Sequence, residues 1–439
     1  MRVMKITLEQ WLDYQLQTHS QAVAMGLERV REVATRLGLG KPARHVITVG
    51  GTNGKGSTVA FIEAIARAGG LRVGAFTSPH LLRYNERIRV NGMEVDDATL
   101  VEAFERIESA RAPTSNSSGP NEAASDTIPL TYFEFGTLAA LLVFGQSKLD
   151  IAILEVGLGG KLDAVNIVDP DVAVITTVGI DHQEYLGVDR ETIGADKAGI
   201  FRHGKPCVLG ERDPPSSVLR RAYEIGAFAI RAHADYLIDI RGHDWTWREP
   251  GFEIDLPIPG MGAPAQFENA AAAVAALRAL PLQISNRALV AGIRQARVAG
   301  RLQRLAESPE VVVDVAHNVQ AAGQLARWLT ENPKPTRAVF SALKDKDIEG
   351  IVTELEGLID QWYLAGIEDA GPRGLTGAAL ADRLGPVLAP RHPVVLASIA
   401  EALLAARSEA GADERVLVFG SFHTVAEALK ASGAERDRL

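Results

Sequence analysis

One run of residues concentrates the polar chemistry of a phosphate site: Gly50-Gly51-Thr52-Asn53-Gly54-Lys55-Gly56-Ser57. Glycines let a backbone turn sharply and aim several N–H groups at one point. A helix starting at such a turn adds about half a positive charge, and Lys55 adds a full one. Ser57 or Thr58 supplies a hydroxyl for a magnesium ion. The spacing departs from the usual P-loop, because Gly56 stands where Ser or Thr would follow the lysine. The plainer reading is a glycine-rich turn with an exposed lysine. It fits less well with the Val46, Ile47, Val49 run before the turn and the apolar helical spacing of Val59, Ile62, Ile65 and Ala66 after it.

Other polar or ionisable residues stand where strands are expected to end, the place where open α/β sheets gather ligands. They are Ser78 and His80, Glu155 ahead of residues 157–163, and Asp181 with His182. Further along come Asp314, His317 and Asn318, the charged run 344–347, and Ser421-Phe422-His423. Phosphoryl transfer would use such a set. Ser78 and Glu155 are oxygen ligands suited to magnesium, and His182 is a softer one. Each also has a plain structural reading: Ser78 before Pro79 as a turn, Glu155 as a buried ion-pair partner, Asp181-His182 as a loop with a helix cap. Thr131-Tyr132-Phe133-Glu134 satisfies a capping box by itself. Lys197, taken alone, reads as a solvated lysine paired with a nearby acid.

The elements needed to hold these residues are those of an α/β protein. Thr7 with Gln10 predicts a capping box, followed by Leu8, Trp11, Leu12 and Leu16 on one helical face. A helix over 27–37 ends at Gly38. The phosphate-loop strand and helix come next, then a strand over 72–76, and a hairpin over 88–95 turning on Asn91-Gly92. Asp96 or Asp97 caps a helix to about 110, and residues 113–129 form a polar loop. A helix from 131 to 144, strands over 150–156 and 171–178, a helix over 191–200 and a strand over 205–209 follow. Residues 236–256 read as an antiparallel addition, and 266–280 and 286–296 as helices. A fresh strand–helix series begins near Gly300. This predicts two domains, 1–299 with a P-loop and a parallel sheet, and 300–439 with a Rossmann-like doubly wound sheet.

Length alone makes two or three domains the expectation for 439 residues. The net charge of −9 and the lack of an arginine-rich segment argue against nucleic acid as a partner. Cys207 is the only cysteine, so no intrachain disulfide forms and a reducing compartment is expected. Glu9 and Asp13 break up the apolar residues of 1–18, which therefore does not read as a signal peptide. The longest apolar runs, 138–144 and 270–277, are too short to span a bilayer. A cytoplasmic enzyme without a membrane partner is the expectation.

These residues strongly resemble the folylpolyglutamate synthase/dihydrofolate synthase family, within the larger group of Mur-type ATP-dependent amide ligases. The resemblance rests on GTNGKGS at 51–57, SPHLLRYNERIRVNG at 78–92, TYFEF at 131–135 and EVGLGGKLDAVN at 155–166. It continues through GIDHQEYLG at 179–187, DKAGI at 196–200, GRLQ at 300–303, DVAHN at 314–318, LKDKD at 343–347 and GSFHTVAEAL at 420–429. GKGS favours the folate branch, since Mur ligases more usually have GK followed by Thr. Three positions depart from the family pattern: Lys161 for Arg, Val165 for Thr, and Val319 for Pro. Lysine at 161 cannot make a two-pronged guanidinium contact.

The resemblance implies roles for matching residues. Thr52, Asn53, Gly54, Lys55, Gly56 and Ser57 would hold ATP phosphates, with Asn269, Arg301, Asp314 and His317 at the rest of the nucleotide. Ser78, Glu155 and His182 would ligate magnesium. Thr131, Tyr132, Phe133 and Glu134, with Leu162, Asp163 and Ala164, would line the pterin site. Lys197 matches a lysine the family carries as a carbamate, which would become an anionic ligand for a second magnesium ion. ATP would lie between two lobes and phosphorylate the acceptor carboxylate, and L-glutamate would then form an amide through its amine. Dihydropteroate and folates are the implied acceptors, and a monomer acting in both reactions is expected. A monofunctional folylpolyglutamate synthase, a Mur-type cell-wall ligase, a simple P-loop kinase and a non-catalytic nucleotide-binding regulator are the competing readings. The P-loop arrives by residue 50, leaving no room for the N-terminal UDP-binding domain that Mur ligases commonly have.

Overall fold

The computed structural model describes residues 6–19, 24–112, 127–242 and 244–433. The polar loop expected over 113–129 therefore falls mostly outside the described residues. The chain forms two compact units: Met1–Val178 with Glu184–Ile258 and Glu268–Ala296, and Arg297–Leu439 with the short stretches Gly179–Gln183 and Pro259–Phe267. The two short stretches have no counterpart in the pattern of the sequence.

The first unit is built on an eight-stranded sheet. Its strands are β1 (Ala43–Gly50), β2 (Val73–Phe76), β3 (Ile88–Val90), β4 (Met93–Glu94), β5 (Leu149–Glu155), β6 (Val172–Ile175), β7 (Pro206–Leu209) and β8 (Phe228–Arg231). Their order is β4-β3-β2-β5-β1-β6-β7-β8. All neighbours are parallel except the β2–β3 and β3–β4 pairs. β1 is central, and its Val/Ile run is buried on both faces, as a parallel strand covered by helices requires. Chain order reverses around β1, which makes its C-terminal end the switch point where a ligand crevice opens. Asn91 and Gly92 both adopt positive φ, as a two-residue hairpin turn demands.

The helix Lys55–Ala68 follows β1. The sequence shows one apolar face, yet both sides are covered. The helix Asn286–Gln295 packs on it so closely that a Cβ on Gly292 would lie 2.4 Å from Ile65 Cα. The N-terminal helix Leu8–Gln17 has the expected Thr7–Gln10 capping box and a buried Trp11, but Leu16 is exposed. The antiparallel addition is a meander of β9 (Leu237–Arg241), β10 (Asp244–Glu249) and β11 (Phe252–Pro257). It holds Trp245 and Trp247 fully buried, with Tyr236 stacked on Trp247.

The second unit has six strands: β12 (Gln303–Glu307), β13 (Glu310–Asp314), β14 (Thr336–Phe340), β15 (Gln361–Ala365), β16 (Val394–Leu396) and β17 (Arg415–Phe419). They run β12-β13-β17-β14-β15-β16, parallel apart from the β12 edge. That antiparallel edge, the helix Ser216–Ile225 and β8 are elements the sequence pattern did not announce.

Candidate active site

β1 delivers the chain into a loop whose shape only glycine permits. Gly51 has φ +143° and Gly54 φ +87°. A side chain at Gly51 would collide with Thr176 Oγ1, and one at Gly54 would lie 2.3 Å from Asn269 Oδ1. The end of the neighbouring strand clamps the loop. Thr52 N donates to Thr177 O (2.7 Å), Asn53 N donates to Thr177 Oγ1 (3.1 Å), and Thr176 Oγ1 donates to Asn53 O (2.6 Å). Sequence reasoning missed this Thr176-Thr177 pair, since its partners lie far away in the chain. Lys55 Nζ curls back on the loop, 3.1 Å from both Gly51 O and Thr52 O. Ser57 is 1 % exposed, and its hydroxyl and that of Thr58 have no hydrogen-bond partner among the described residues. Buried hydroxyls left unpaired in the first turn of a helix suit an anion and its counter-cation.

Glu155 ends β5 beside β1, in register with Val49. Its carboxylate lies beside the loop, 3.7 Å from where a Gly56 Cβ would be, and accepts from Ser78 N at 3.1 Å. Ser57, Ser78 and Glu155 are thus hard oxygen donors gathered in one unit, a set that fits magnesium or manganese. No group of three His, Cys, Asp or Glu side chains forms a metal cage among the described residues. A divalent ion here would complete its shell with phosphate oxygens and water, as magnesium prefers.

Lys197 ends the helix Arg190–Lys197 and is 4 % exposed, with Nζ 3.1 Å from Gly51 O. The solvated-lysine reading does not hold, because the side chain lies against the phosphate loop. Burial raises the neighbouring Asp196 carboxyl, against the pull of Lys197 and of the Lys161 and Gly160 N–H groups.

A second glycine-rich turn follows β5. Here Asp163 accepts from Gly157 N (3.0 Å) and Leu158 N (2.8 Å) through Oδ2, and from Val165 N (3.0 Å) through Oδ1. Burial pushes its carboxyl up to about 7, against those N–H groups and Lys55. Phe133 lies on this turn, its ring 2.6 Å from where a Gly157 side chain would be. The structure thereby brings together the two segments 131–134 and 162–164. Thr131 and Glu134 form the expected capping box, and Glu134 also pairs with Arg29 at 2.9 Å. Both Glu134 oxygens are thereby engaged in structure, as the capping reading implies. Ala164 is buried, Leu162 is exposed, and Tyr132 packs edge-on against Tyr84.

In the second unit, Asp314 at the end of β13 accepts from Leu302 N (2.9 Å) and Ala316 N (2.8 Å). Burial raises its carboxyl despite the Arg301 charge. The Arg301 guanidinium lies 5.7 Å from the Phe422 ring centre, which is also 6.0 Å from His317. Asp181 is the hub of this unit. Lys346 Nζ is 2.5 Å away, Asn318 Nδ2 3.2 Å and His317 Nε2 3.5 Å. Burial would raise the Asp181 carboxyl, but His317 and Lys346 outweigh it and hold the group well below the usual range. Lys346 appeared in the sequence only as part of a charged run. His182 belongs to the same unit and adopts a left-handed backbone, φ +50°.

Comparison with known proteins adds independent information. Residues 115–277 match the Mur ligase middle domain, and residues 300–422 match the Mur ligase, glutamate ligase domain. The dihydrofolate synthase/folylpolyglutamate synthase of Escherichia coli K12 is 45% identical over 432 residues, covering 98% of this chain and 96% of its own. A solved structure of Escherichia coli FolC in complex with DHPP and ADP superposes with a TM-score of 0.90, covering 98% of this chain and 99% of that one. A bifunctional folylpolyglutamate synthase/dihydrofolate synthase with Mn, AMPPNP and L-glutamate bound, 44% identical, gives 0.87 over 97% of this chain and 98% of that one.

Proposed function

The chain belongs to the dihydrofolate synthase/folylpolyglutamate synthase family of Mur-type ligases, and from that premise we propose that it joins L-glutamate to dihydropteroate and to the γ-carboxylate of reduced folates. The reaction is ATP-dependent and passes through an acyl phosphate. The observation that carries this reading is the phosphate loop with its unpaired buried Ser57 hydroxyl, in a chain alike to such enzymes over its whole length.

The acceptor carboxylate attacks the γ-phosphorus of ATP, and the bond to the β-phosphate oxygen breaks to release ADP. The glutamate amine then attacks the acyl carbon, loses a proton, and expels phosphate. Thr52 to Ser57 are assigned to the phosphates: Lys55 and the N–H groups of residues 54–57, beyond the two that Thr177 takes up, bind them and balance charge that grows during transfer. Ser57, Ser78, Glu155 and His182 are assigned to hold magnesium, which when bound neutralises phosphate charge. Lys197 is assigned to act as a carbamate: its contact with Gly51 O supports this reading, since beside a bound divalent ion a bare ammonium would repel the metal. Thr131–Glu134 and 162–164 are assigned to the pterin, with Thr131, Glu134 and Asp163 shaping the wall and Tyr132, Phe133 and Leu162 forming it. Asn269, Arg301, Asp314 and His317 are assigned to nucleotide contacts, so that 1–299 binds ATP and acceptor while 300–439 serves glutamate and ATP. Lys161 leaves any phosphate contact there to a point charge rather than a fork. No helix among the described residues is long and apolar enough to cross a membrane. The working unit is a monomer in the cytoplasm.

The test is ADP release by the purified chain with ATP and magnesium, offering dihydropteroate or tetrahydrofolate, each with and without L-glutamate. Release that requires an acceptor, together with a glutamyl product from both, is the expected result. ADP release indifferent to acceptor and glutamate would remove the ligase assignment. Product from tetrahydrofolate alone would reduce it to a single activity.

A further inference from the structure

Three arginines lie within one short stretch, and the most buried of them is the one that lacks an acid. Arg83 pairs with Asp97 and Glu94, and Arg89 pairs with Glu63 at 2.9 Å. Arg87 is only 9 % exposed and has no carboxylate partner among the described residues. The adjacent Glu86 does not serve it, because that carboxylate accepts from the backbone N–H groups of Leu81, Leu82 and Arg83, each at 2.7 Å. Arg87 is held by other means. Its Nε donates to His80 Nδ1 at 2.8 Å, and its guanidinium carbon lies 5.3 Å from the ring centres of both Tyr84 and Tyr132. Tyr84 itself packs edge-on against Phe104 and Tyr132.

Cation–π contacts offset only part of the cost of withdrawing a guanidinium from water. With Nε engaged and no protein partner at either Nη among the described residues, the outer edge of the fork is open to water or a ligand. That edge matches the two oxygens of a carboxylate. The location narrows the choice of carboxylate. One stacking ring, Tyr132, belongs to the segment assigned to the pterin, and His80 is two residues past Ser78, whose N–H donates to Glu155. We infer that Arg87 binds a carboxylate of the acceptor substrate. This rests on the proposed ligase reading. Two carboxylates have this chemistry: the one that is phosphorylated, common to both acceptors, and the α-carboxylate of a glutamyl tail, present only in folates.

The experiment compares the wild-type chain with Arg87→Met and Arg87→Lys. It measures KM for dihydropteroate, tetrahydrofolate, ATP and L-glutamate, and the melting temperature with and without each acceptor. Arg87→Met is expected to raise the acceptor KM roughly ten- to a hundredfold, while KM for ATP and glutamate stays within about twofold. Its ligand-free melting temperature should be unchanged or higher, since a largely buried charge without a carboxylate partner has been removed. The upward shift given by acceptor should shrink. Arg87→Lys, which keeps the charge without the fork, should fall between. A loss with both acceptors assigns the reacting carboxylate, and a loss with tetrahydrofolate alone assigns the tail. Unchanged KM for both acceptors would overturn the inference, as would a lowered ligand-free melting temperature with every KM raised, the mark of a structural role. If the wild-type chain fails to ligate glutamate to either acceptor, the ligase reading itself falls, separately from Arg87.

Discussion

Two glycine-rich turns leave neighbouring strands of one sheet, the first after β1 and the second after β5, and they end in opposite states. The second is complete in itself: Asp163 takes up the N–H groups of Gly157, Leu158 and Val165. The first contains no acid. It keeps a lysine folded onto its carbonyl groups, a buried serine hydroxyl without a partner among the described residues, and a helix N-terminus behind it. Glycine sets the shape of both turns. What separates a socket from a closed turn is whether the acceptor for the N–H groups is built into the chain or arrives with a ligand.

The largest expected break in this contrast is Lys55→Ala. It should leave a folded chain whose turnover at saturating ATP and magnesium is down about a thousandfold or more. Near-normal ADP formation would remove the first loop's claim to phosphate. Lys197→Ala follows, with a loss of roughly a hundredfold, partly restored by small carboxylic acids in the assay if a carbamate is the working form. Density or mass for an unmodified lysine in an active enzyme would count against it. Asn53→Asp makes the first loop resemble the second by supplying an internal carboxylate. KM for ATP should rise about tenfold through repulsion and competition for the N–H groups, and an unchanged KM would show that those groups do not face the nucleotide.

The smallest effect is on stability. Asp163→Asn replaces an acceptor with an amide that must turn a donor toward the N–H groups, at a cost of about 1–3 kcal/mol. The Asp163 carboxyl stands at about 7 in the fold against an ordinary value of 3.8, mainly through burial. Folding therefore favours its protonated form. That proton-linked stability is fully present below about pH 4 and is lost as pH rises to about 7. The gap in melting temperature between wild type and variant should accordingly narrow from pH 4 to pH 7. A gap that widens over this range would contradict the raised value.

What the sequence disclosed was mostly local. Thr7–Gln10 and Thr131–Glu134 cap their helices because all the atoms involved lie within four residues. Asn91-Gly92 turns its hairpin for the same reason. Periodicity located most of the strands and helices, and motif resemblance supplied the roles assigned to Lys197, Arg301 and Asp314. Pairings between distant segments were not legible. The Asp181–Lys346 ion pair joins residues 165 apart, and the Thr176-Thr177 clamp on the loop spans more than 120. Burial of Lys197 was likewise hidden, because its short helix carries an unremarkable polar sequence. Leu16 misled in the other direction: its spacing groups it with Leu8 and Leu12, but the buried face of the helix runs through Trp11 and Gln15 and leaves Leu16 outside.

The packing of Asn286–Gln295 onto Lys55–Ala68 also bears on how the protein is made. Roughly 200 residues separate the two helices, and at about 5–20 residues per second a ribosome takes on the order of 10–40 s to cross that interval. Throughout that time the helix behind the phosphate loop has one flank uncovered, and Ile65 lacks the backbone that later presses against it. A nascent chain stopped short of residue 286 thus carries the nucleotide signature on an unfinished support, and quality-control machinery meets it as exposed apolar surface before it can work as an enzyme.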